Sequence, residues 1–446
     1  MALITHLEDD IVNQPFTVAA DHVVTPEGVL APGWLRVDGG RIADTGAGEP
    51  PQPPACRGHW ALPGFVDMHV HGGGGASFTD GGAAEARQAA AFHRAHGTTT
   101  IIASLVTAPV PELTARLGLL ADLADEGVIG GIHLEGPFLS AARCGAQDPR
   151  YLIDPDTAVF AALHAAARGW LRMITIAPEL PGAAGLIRAA TAAGVIAAAG
   201  HTDASAEVTA AAVAAGVSHA THLCNGMRPL GHRDPGPVGA LLDAGVTCEI
   251  VADGVHLHDI MIRLIARAAG PGNLVLITDA MAAAGMADGR YRLGPQEVTV
   301  AGGVARLAAG TGDGPGSIAG STATMAQVVR HAVTAAGLPV PDVAAAASGT
   351  PARRLGLGAE TGALRPGLAA DLVLLDEACQ LTTVIAAGTL VPRWPAAPAN
   401  PNPTPGPSPG PSAGPGPGPG PSPNPNPNPN PNPKPKPGQL VRRALS

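Results

Sequence analysis

The chain has 446 residues, 46% of them hydrophobic, and a formal net charge of -9 at pH 7, which is enough material for one large domain and a smaller one. Acidic residues are spread over short loops and no basic block offsets them, which argues against nucleic acid and anionic membrane as partners and leaves a small soluble substrate. Nothing before Gln14 reads as a leader, no apolar run is long enough to span a bilayer, and Cys56, Cys144, Cys224, Cys248 and Cys379 form no Cys-x-x-Cys pair, so a reducing, cytoplasmic setting is expected.

In chain order, the short β-like runs at 16–18, 23–24 and 35–37, with turns such as Asp38-Gly39-Gly40, predict a small antiparallel sheet. Beyond Leu62-Pro63-Gly64 the pattern becomes strand, alanine-rich helix, strand. The apolar runs at 65–69, 98–106, 128–134, 173–177, 195–199, 219–223, 247–252 and 274–278 predict eight strands, with helices such as 83–96 and 207–215 between them. That alternation predicts an α/β fold, a (β/α)8 TIM-like barrel. Residues 298–305 predict a hairpin insertion, 316–321 a loop, and Thr324 the start of a helix. The alternating segment 367–376 is expected to complete the N-terminal sheet, so that both ends of the chain build one small β-sandwich domain. From Trp394 the sequence becomes Pro-Asn and Pro-Gly repeats, which cannot bury a core and predict a disordered tail. The expected organisation is a small β domain from 1–60 and 356–393, a barrel from 61–355, and a tail from 394–446.

The ends of the predicted strands carry the chemistry. They finish in His69-Val70-His71, Thr107, His133-Leu134-Glu135, Pro178-Glu179, Gly200-His201-Thr202-Asp203, Thr221-His222, Asp253-Gly254-Val255-His256 and Thr278-Asp279. In a (β/α)8 barrel these ends surround one active-site mouth. His-x-His on a strand places two imidazoles on one face, although alone the pattern equally fits a surface strand with two alternating histidines. Together His69, His71, Glu135, His201, His222 and Asp279 offer nitrogen and carboxylate ligands for one or two divalent ions of the Zn2+ type. Such an ion acidifies water and polarises a carbonyl, which implies hydrolysis of an amide or ester. Asp279 is the expected proton shuttle.

With these motifs in hand, the chain resembles the amidohydrolase superfamily and, within it, the N-acetylglucosamine-6-phosphate deacetylase family. The matching segments are 64–72, His133-Leu134-Glu135-Gly136-Pro137-Phe138, 200–204, Thr221-His222-Leu223-Cys224-Asn225-Gly226-Met227, Arg233-Asp234-Pro235-Gly236, 253–256 and Thr278-Asp279-Ala280-Met281, in the family's order across roughly 10–393. Many binuclear amidohydrolases bridge their metals with a carbamylated lysine. Lysine occurs here only at Lys434 and Lys436, in the tail, and the resemblance gives the bridging role to Glu135. It further implies one ion on Glu135, His201 and His222; members differ in keeping a second, for which the intact His69 and His71, sharing Glu135 and Asp279, leave a place. It implies that Arg233 and His256 hold a sugar 6-phosphate, the arginine reaching across a homodimer interface, and that Ala146, Gln147, Asn225, Gly226, Ser317, Ile318 and Ala319 contact substrate.

Gln147 departs from the family, which has histidine there, and it cannot become cationic. Cys144 reads either as a thiol near the mouth or as a small filler. Without the family, Arg233 reads equally as a partner for a loop acid. His93, His96, His164, His219 and His258 read as structural or solvated, and His232 fits either role. The implied reaction is deacetylation of N-acetylglucosamine 6-phosphate. The alternatives are an amidohydrolase for another N-acylated amino sugar or amine, and a non-catalytic barrel that binds a sugar phosphate.

Overall fold

The computed structural model describes residues 14–308 and 316–395; the Pro-rich repeats lie outside the described residues. The N-terminal segment forms β1 (Phe16–Thr25), β2 (Gly28–Leu30), β3 (Gly33–Asp38), β4 (Arg41–Ala47) and β5 (Cys56–Pro63). Strand β3 buries Leu35 and Val37 on one face and exposes Arg36 and Asp38 on the other, the period-two pattern of a half-buried strand. Its hairpin to β4 turns on Gly39 and Gly40 at φ +56° and +76°, the left-handed pair that a two-residue turn requires. The pairings among β1, β3 and β4 are antiparallel as expected, but β5 joins β1 in parallel register.

The barrel begins immediately after. Its strands are β6 (Phe65–Val70), then, past the two-residue β7 (Gly72–Gly73) and β8 (Ala76–Ser77), β9 (Thr98–Leu105), β10 (Gly131–Glu135), β11 (Leu171–Ile176), β12 (Ile196–Ala199), β13 (His219–Ala220), β14 (Thr247–Ile250) and β15 (Leu274–Leu276). These eight pair in parallel and in chain order, from β6 through β9 and on to β15. Helices α1 (Ala83–Ala95), α2 (Val110–Asp125), α3 (Thr157–Ala166), α4 (Ala183–Ala192), α5 (Ala206–Ala215), α6 (Gly236–Asp243) and α7 (Asp259–Ala269) make the crossovers. Parallel strands covered on both faces read as continuous apolar runs, which is why the sequence revealed them. Val66, Met68, Ile102, Met173, Ala198, Val251, Val275 and Ile277 form one buried cluster, while Leu117, Leu134, Leu163, Ile174 and Leu186 belong to another that includes helix residues. The gap between β15 and β6 is bridged at the mouth: Asp279 N–H donates to the His69 carbonyl at 2.9 Å, and His71 N–H to the Ala280 carbonyl at 2.8 Å.

After the barrel strands, β16 (Gly289–Leu293), β17 (Gln296–Ala301) and β18 (Val304–Leu307) form a three-stranded antiparallel sheet, one strand more than the expected hairpin. Helix α8 (Met325–Thr334) is capped by Thr324, whose hydroxyl accepts from Gln327 N–H. The chain then returns as β19 (Leu372–Leu375), β20 (Leu381–Ala386) and β21 (Thr389–Leu390), with β19 antiparallel to β5. The outer strand β4 is bridged to Ala369, so this eight-stranded sheet curls over a core of Val18, Leu35, Ile42, Leu372 and Leu374. Trp394, placed in the tail by composition, is half-buried and meets Phe92 edge-on at 5.4 Å.

Candidate active site

Six side chains converge at the C-terminal ends of the barrel strands. His69 is the penultimate residue of β6 and His71 follows the strand; their Nε2 atoms are 3.1 Å apart. Glu135 closes β10 and lies at the centre. Its Oε1 is 2.9 Å from Nε2 of both His201 and His222 and 3.6 Å from Nε2 of His69, and its Oε2 is 3.2 Å from Nε2 of His71. Asp279 Oδ1 stands 3.5 Å from His69 Nε2 and 3.3 Å from His71 Nε2. All six are at least nine-tenths buried.

The backbone is strained where it delivers these groups. His201, His222 and Asp279 have φ of +46°, +25° and +48°, a region that L-residues with bulky side chains rarely adopt. Such strain persists only where the surroundings over-determine it, and it clusters at functional sites. Gly226 backs His201 so closely that a Cβ there would meet Nδ1 at 2.9 Å, and Gly226 is itself left-handed at φ +59°. This fixes glycine at one of the positions the resemblance gave to substrate contact.

Charge is matched within the cluster. Burial pushes the Glu135 carboxyl up, but His69, His201 and His222 outweigh it and hold it well below the usual carboxylate range. Burial likewise opposes ionisation of Asp279, and His69 and His71 bring it down to about 2. Conversely, Glu135 and Asp279 overcome burial to lift His69 well above its ordinary value. His133 packs edge-on against His69 with ring centroids 4.5 Å apart; burial and that neighbour keep it well below its ordinary value, and its nitrogens are satisfied by Ser104 Oγ and Thr175 Oγ1.

The donor set fits a divalent cation. Nε2 faces Nε2 at 3.1 Å between His69 and His71 and at 3.2 Å between His201 and His222, so at least one lone pair in each pair lacks a protein proton unless an imidazole is charged. Ligands about 2.0–2.1 Å from a tetrahedral ion sit roughly 3.3 Å apart, which is the scale of these separations. Two triads, His69/His71/Asp279 and His69/Glu135/His222, hold all their ligand atoms within 4.8 Å of one another. His201 Nδ1 donates to the Arg143 carbonyl at 2.9 Å, which turns its Nε2 lone pair towards Glu135 and the centre of the cluster.

A sequence profile of the amidohydrolase family matches residues 60–391, the whole barrel and the returning strands. The chain belongs to the amidohydrolase family. It is 34% identical over 381 residues to the N-acetylglucosamine-6-phosphate deacetylase of Bacillus subtilis (strain 168), covering 82% of this chain and 95% of that one. It is 37% identical over 379 residues to the N-acetylgalactosamine-6-phosphate deacetylase of Escherichia coli O157:H7, covering 83% and 98%. Its fold superposes with a TM-score of 0.80 on a mutant N-acetyl-D-glucosamine-6-phosphate deacetylase from Mycobacterium smegmatis in complex with N-acetyl-D-glucosamine-6-phosphate, at 45% identity, covering 85% of this chain and all of that one. Amidohydrolases are metal-dependent, and the His/Glu/Asp cluster is where this member can hold its metal.

Other residues singled out in the sequence are placed less uniformly. Gln147 is buried and clamps Glu135: its Nε2 donates to Oε2 at 2.7 Å, and its Oε1 accepts from Thr107 N–H at 2.7 Å. His256 Nδ1 lies 2.8 Å from Asp253, and its Nε2 is 3.9 Å from Asp279 Oδ2. Asn225 Nδ2 donates to the His222 carbonyl, and Ala146 packs with Val106, Met281 and Ala319. The segment containing Ser317, Ile318 and Ala319 extends the insertion sheet, Leu307 N–H donating to Ser317 and Ala319 N–H to Ala305. Arg233 is exposed, 2.7 Å from His232, and is not brought to the cluster. Cys144 is partly buried, and burial pushes its thiol up, the opposite of an activated nucleophile.

Sequence reasoning missed Glu249, whose partner His219 it read as structural or solvated. Both are buried beside the cluster, and Glu249 accepts from His69 and His219. Burial pushes the Glu249 carboxyl up, but these hydrogen bonds hold it well below the usual carboxylate range. The available signal was an acid in the middle of the apolar run 247–252.

Proposed function

We propose that the chain hydrolyses the N-acetyl amide of N-acetylglucosamine 6-phosphate, releasing glucosamine 6-phosphate and acetate, in cytoplasmic amino-sugar catabolism. The observation that carries this reading is the strand-end cluster of four imidazoles around Glu135, with Asp279 beside it, in a chain 45% identical to a deacetylase that binds this sugar phosphate. Glu135, His201 and His222 would hold one divalent ion, with Zn2+ the best match to this ligand set, and His69 and His71 a second that shares Glu135 and Asp279. When bound, the metal supplies Lewis acidity towards the acetyl oxygen and acidifies water. Asp279, kept ionised, accepts the proton of the attacking water and returns it to the departing amine nitrogen. His256, steadied by Asp253, recognises the sugar phosphate together with Arg233 contributed by a second copy of the chain in a homodimer.

A second reading concerns the sugar, because the similarity to the N-acetylgalactosamine-6-phosphate deacetylase is of the same order. Acetate release from both N-acetylhexosamine 6-phosphates and from the unphosphorylated sugars, with and without chelator, tests the assignment. Activity that survives exhaustive metal removal, or that ignores the phosphate, overturns it.

A further inference from the structure

Glu249 lies in β14, fully buried, where a carboxylate is tolerated only if donors surround it. Its Oε1 faces His219 Nε2 at 3.1 Å. Its Oε2 faces two groups from the two halves of the cluster: His69 Nδ1 at 3.2 Å and the backbone N–H of His222 at 3.1 Å. The Glu249 carbonyl also accepts from Leu223 N–H at 2.8 Å, so this residue grips the end of β13 through backbone and side chain. Strands β14 and β6 are not neighbours, since β15 lies between them in the closed ring, and the carboxylate therefore reaches across the barrel.

In the neutral ring that a metal ion requires, a carboxylate facing Nδ1 keeps the His69 proton on Nδ1. Its Nε2 then carries the lone pair, pointed at His71, Asp279 and Glu135. No other imidazole of the cluster has such support. His201 leans on a carbonyl, while Nδ1 of His71 and of His222 has no hydrogen-bond partner among the described residues. A carboxylate behind a ligating histidine fixes its tautomer and raises its basicity.

We infer that Glu249 is a positioning residue that poises His69 as a ligand and thereby retains a second metal ion on the His69–His71 side of the site. The inference rests on the metal-dependent reading above, and metal binding itself separates the two. Full-length protein is equilibrated in buffers of graded free Zn2+ and the bound zinc counted, for wild type, Glu249→Gln, His69→Ala and the double variant, with the absorption of the cobalt-substituted forms as a second readout. Wild type should bind two ions. Glu249→Gln should require ~10 to 100-fold more free Zn2+ for the weaker step, with the tighter step changed less, and should alter the cobalt spectrum. In the His69→Ala background the same substitution should add nothing, because its effect passes through His69.

Equal zinc curves for wild type and Glu249→Gln would overturn the inference, as would an equal loss that persists in the His69→Ala background. A wild-type protein that binds one ion overturns it while leaving the hydrolase reading intact; one that binds none removes that reading as well. The unaltered chain offers a check independent of variant folding. Nitrogen NMR of its zinc-loaded form should show an imidazole with a protonated Nδ1 and a metal-bound Nε2, hydrogen-bonded to a carboxylate, and the absence of such a ring counts against the inference.

Discussion

Gln147→Ala removes both ends of the clamp that holds Glu135. The lost bond to Glu135 is charge-assisted and, at 2.7 Å, contributes about 1.5–3 kcal/mol; the lost acceptor strands a buried Thr107 N–H at a cost of about 1–3 kcal/mol. Water admitted to the vacated space restores part of this, so the metal-free protein should lose about 2–4 kcal/mol of stability. Because Glu135 is assigned to both ions, the free Zn2+ needed for half-occupancy should also rise by ~10-fold or more. Urea unfolding of chelator-treated protein measures the first effect, and titration against a competing fluorescent chelator the second. Gln147→Glu keeps an acceptor for Thr107 but sets a carboxylate against Glu135 Oε2, and should destabilise the metal-free protein more than alanine does. If Gln147→Ala leaves stability and zinc affinity unchanged and only raises KM, Gln147 is a substrate contact and the clamp does not matter.

Asp279→Asn keeps the shape of the proposed shuttle without its proton chemistry, and kcat should fall by ~10²-fold or more; full activity refutes the role. Arg233→Ala should lower kcat/KM for the phosphorylated sugar while leaving turnover of the unphosphorylated one nearly unchanged, and equal losses would make Arg233 structural. His93, buried with Nε2 on the Gly72 carbonyl and no partner for Nδ1 among the described residues, has its pKa lowered by burial from 6.5 to about 4. Between those values the unfolded chain binds a proton that the folded chain refuses, so its neutral form costs nothing above pH 6.5 and up to about 3 kcal/mol of stability is lost as pH falls towards 4. Urea unfolding of wild type and His93→Gln at several pH values should show that difference, and parallel pH profiles would refute it. Truncation after Pro395, which spares the Trp394–Phe92 contact, should leave kcat/KM within a few-fold, whereas cutting after Arg393 should lower the melting temperature.

Much of the candidate site could be read before the fold because the clustered side chains stand at or just past strand ends, where polarity interrupts apolar runs. His69, His71, Glu135, His201, His222 and Asp279 all announced themselves in that way. Strand lengths were less legible: the run 219–223 is strand only to Ala220, because the chain then turns through His222 at positive φ. Contacts between strands distant in sequence could not be read at all. His69 and Glu249 are 180 residues apart, and only barrel closure reveals that they meet. Gln147 sits in a motif associated with substrate, yet its amide is spent on Glu135, a partner that spacing alone does not suggest.

The small sheet has a seam that matters while the chain is being made. Strand β5 pairs on one side with β1, already synthesised, but its other edge receives β19 only after the entire barrel sequence has emerged, roughly 300 residues and about 15–60 s later at ordinary elongation rates. Until then the edge beside Trp60, Ala61 and Leu62 is an open template for a stray strand from another nascent chain. Pro63 at the end of that edge, lacking an N–H, limits how far such pairing can extend. Slow synthesis or premature termination before β19 should therefore yield aggregated rather than merely inactive product, and supplying the 367–395 segment in trans should suppress it.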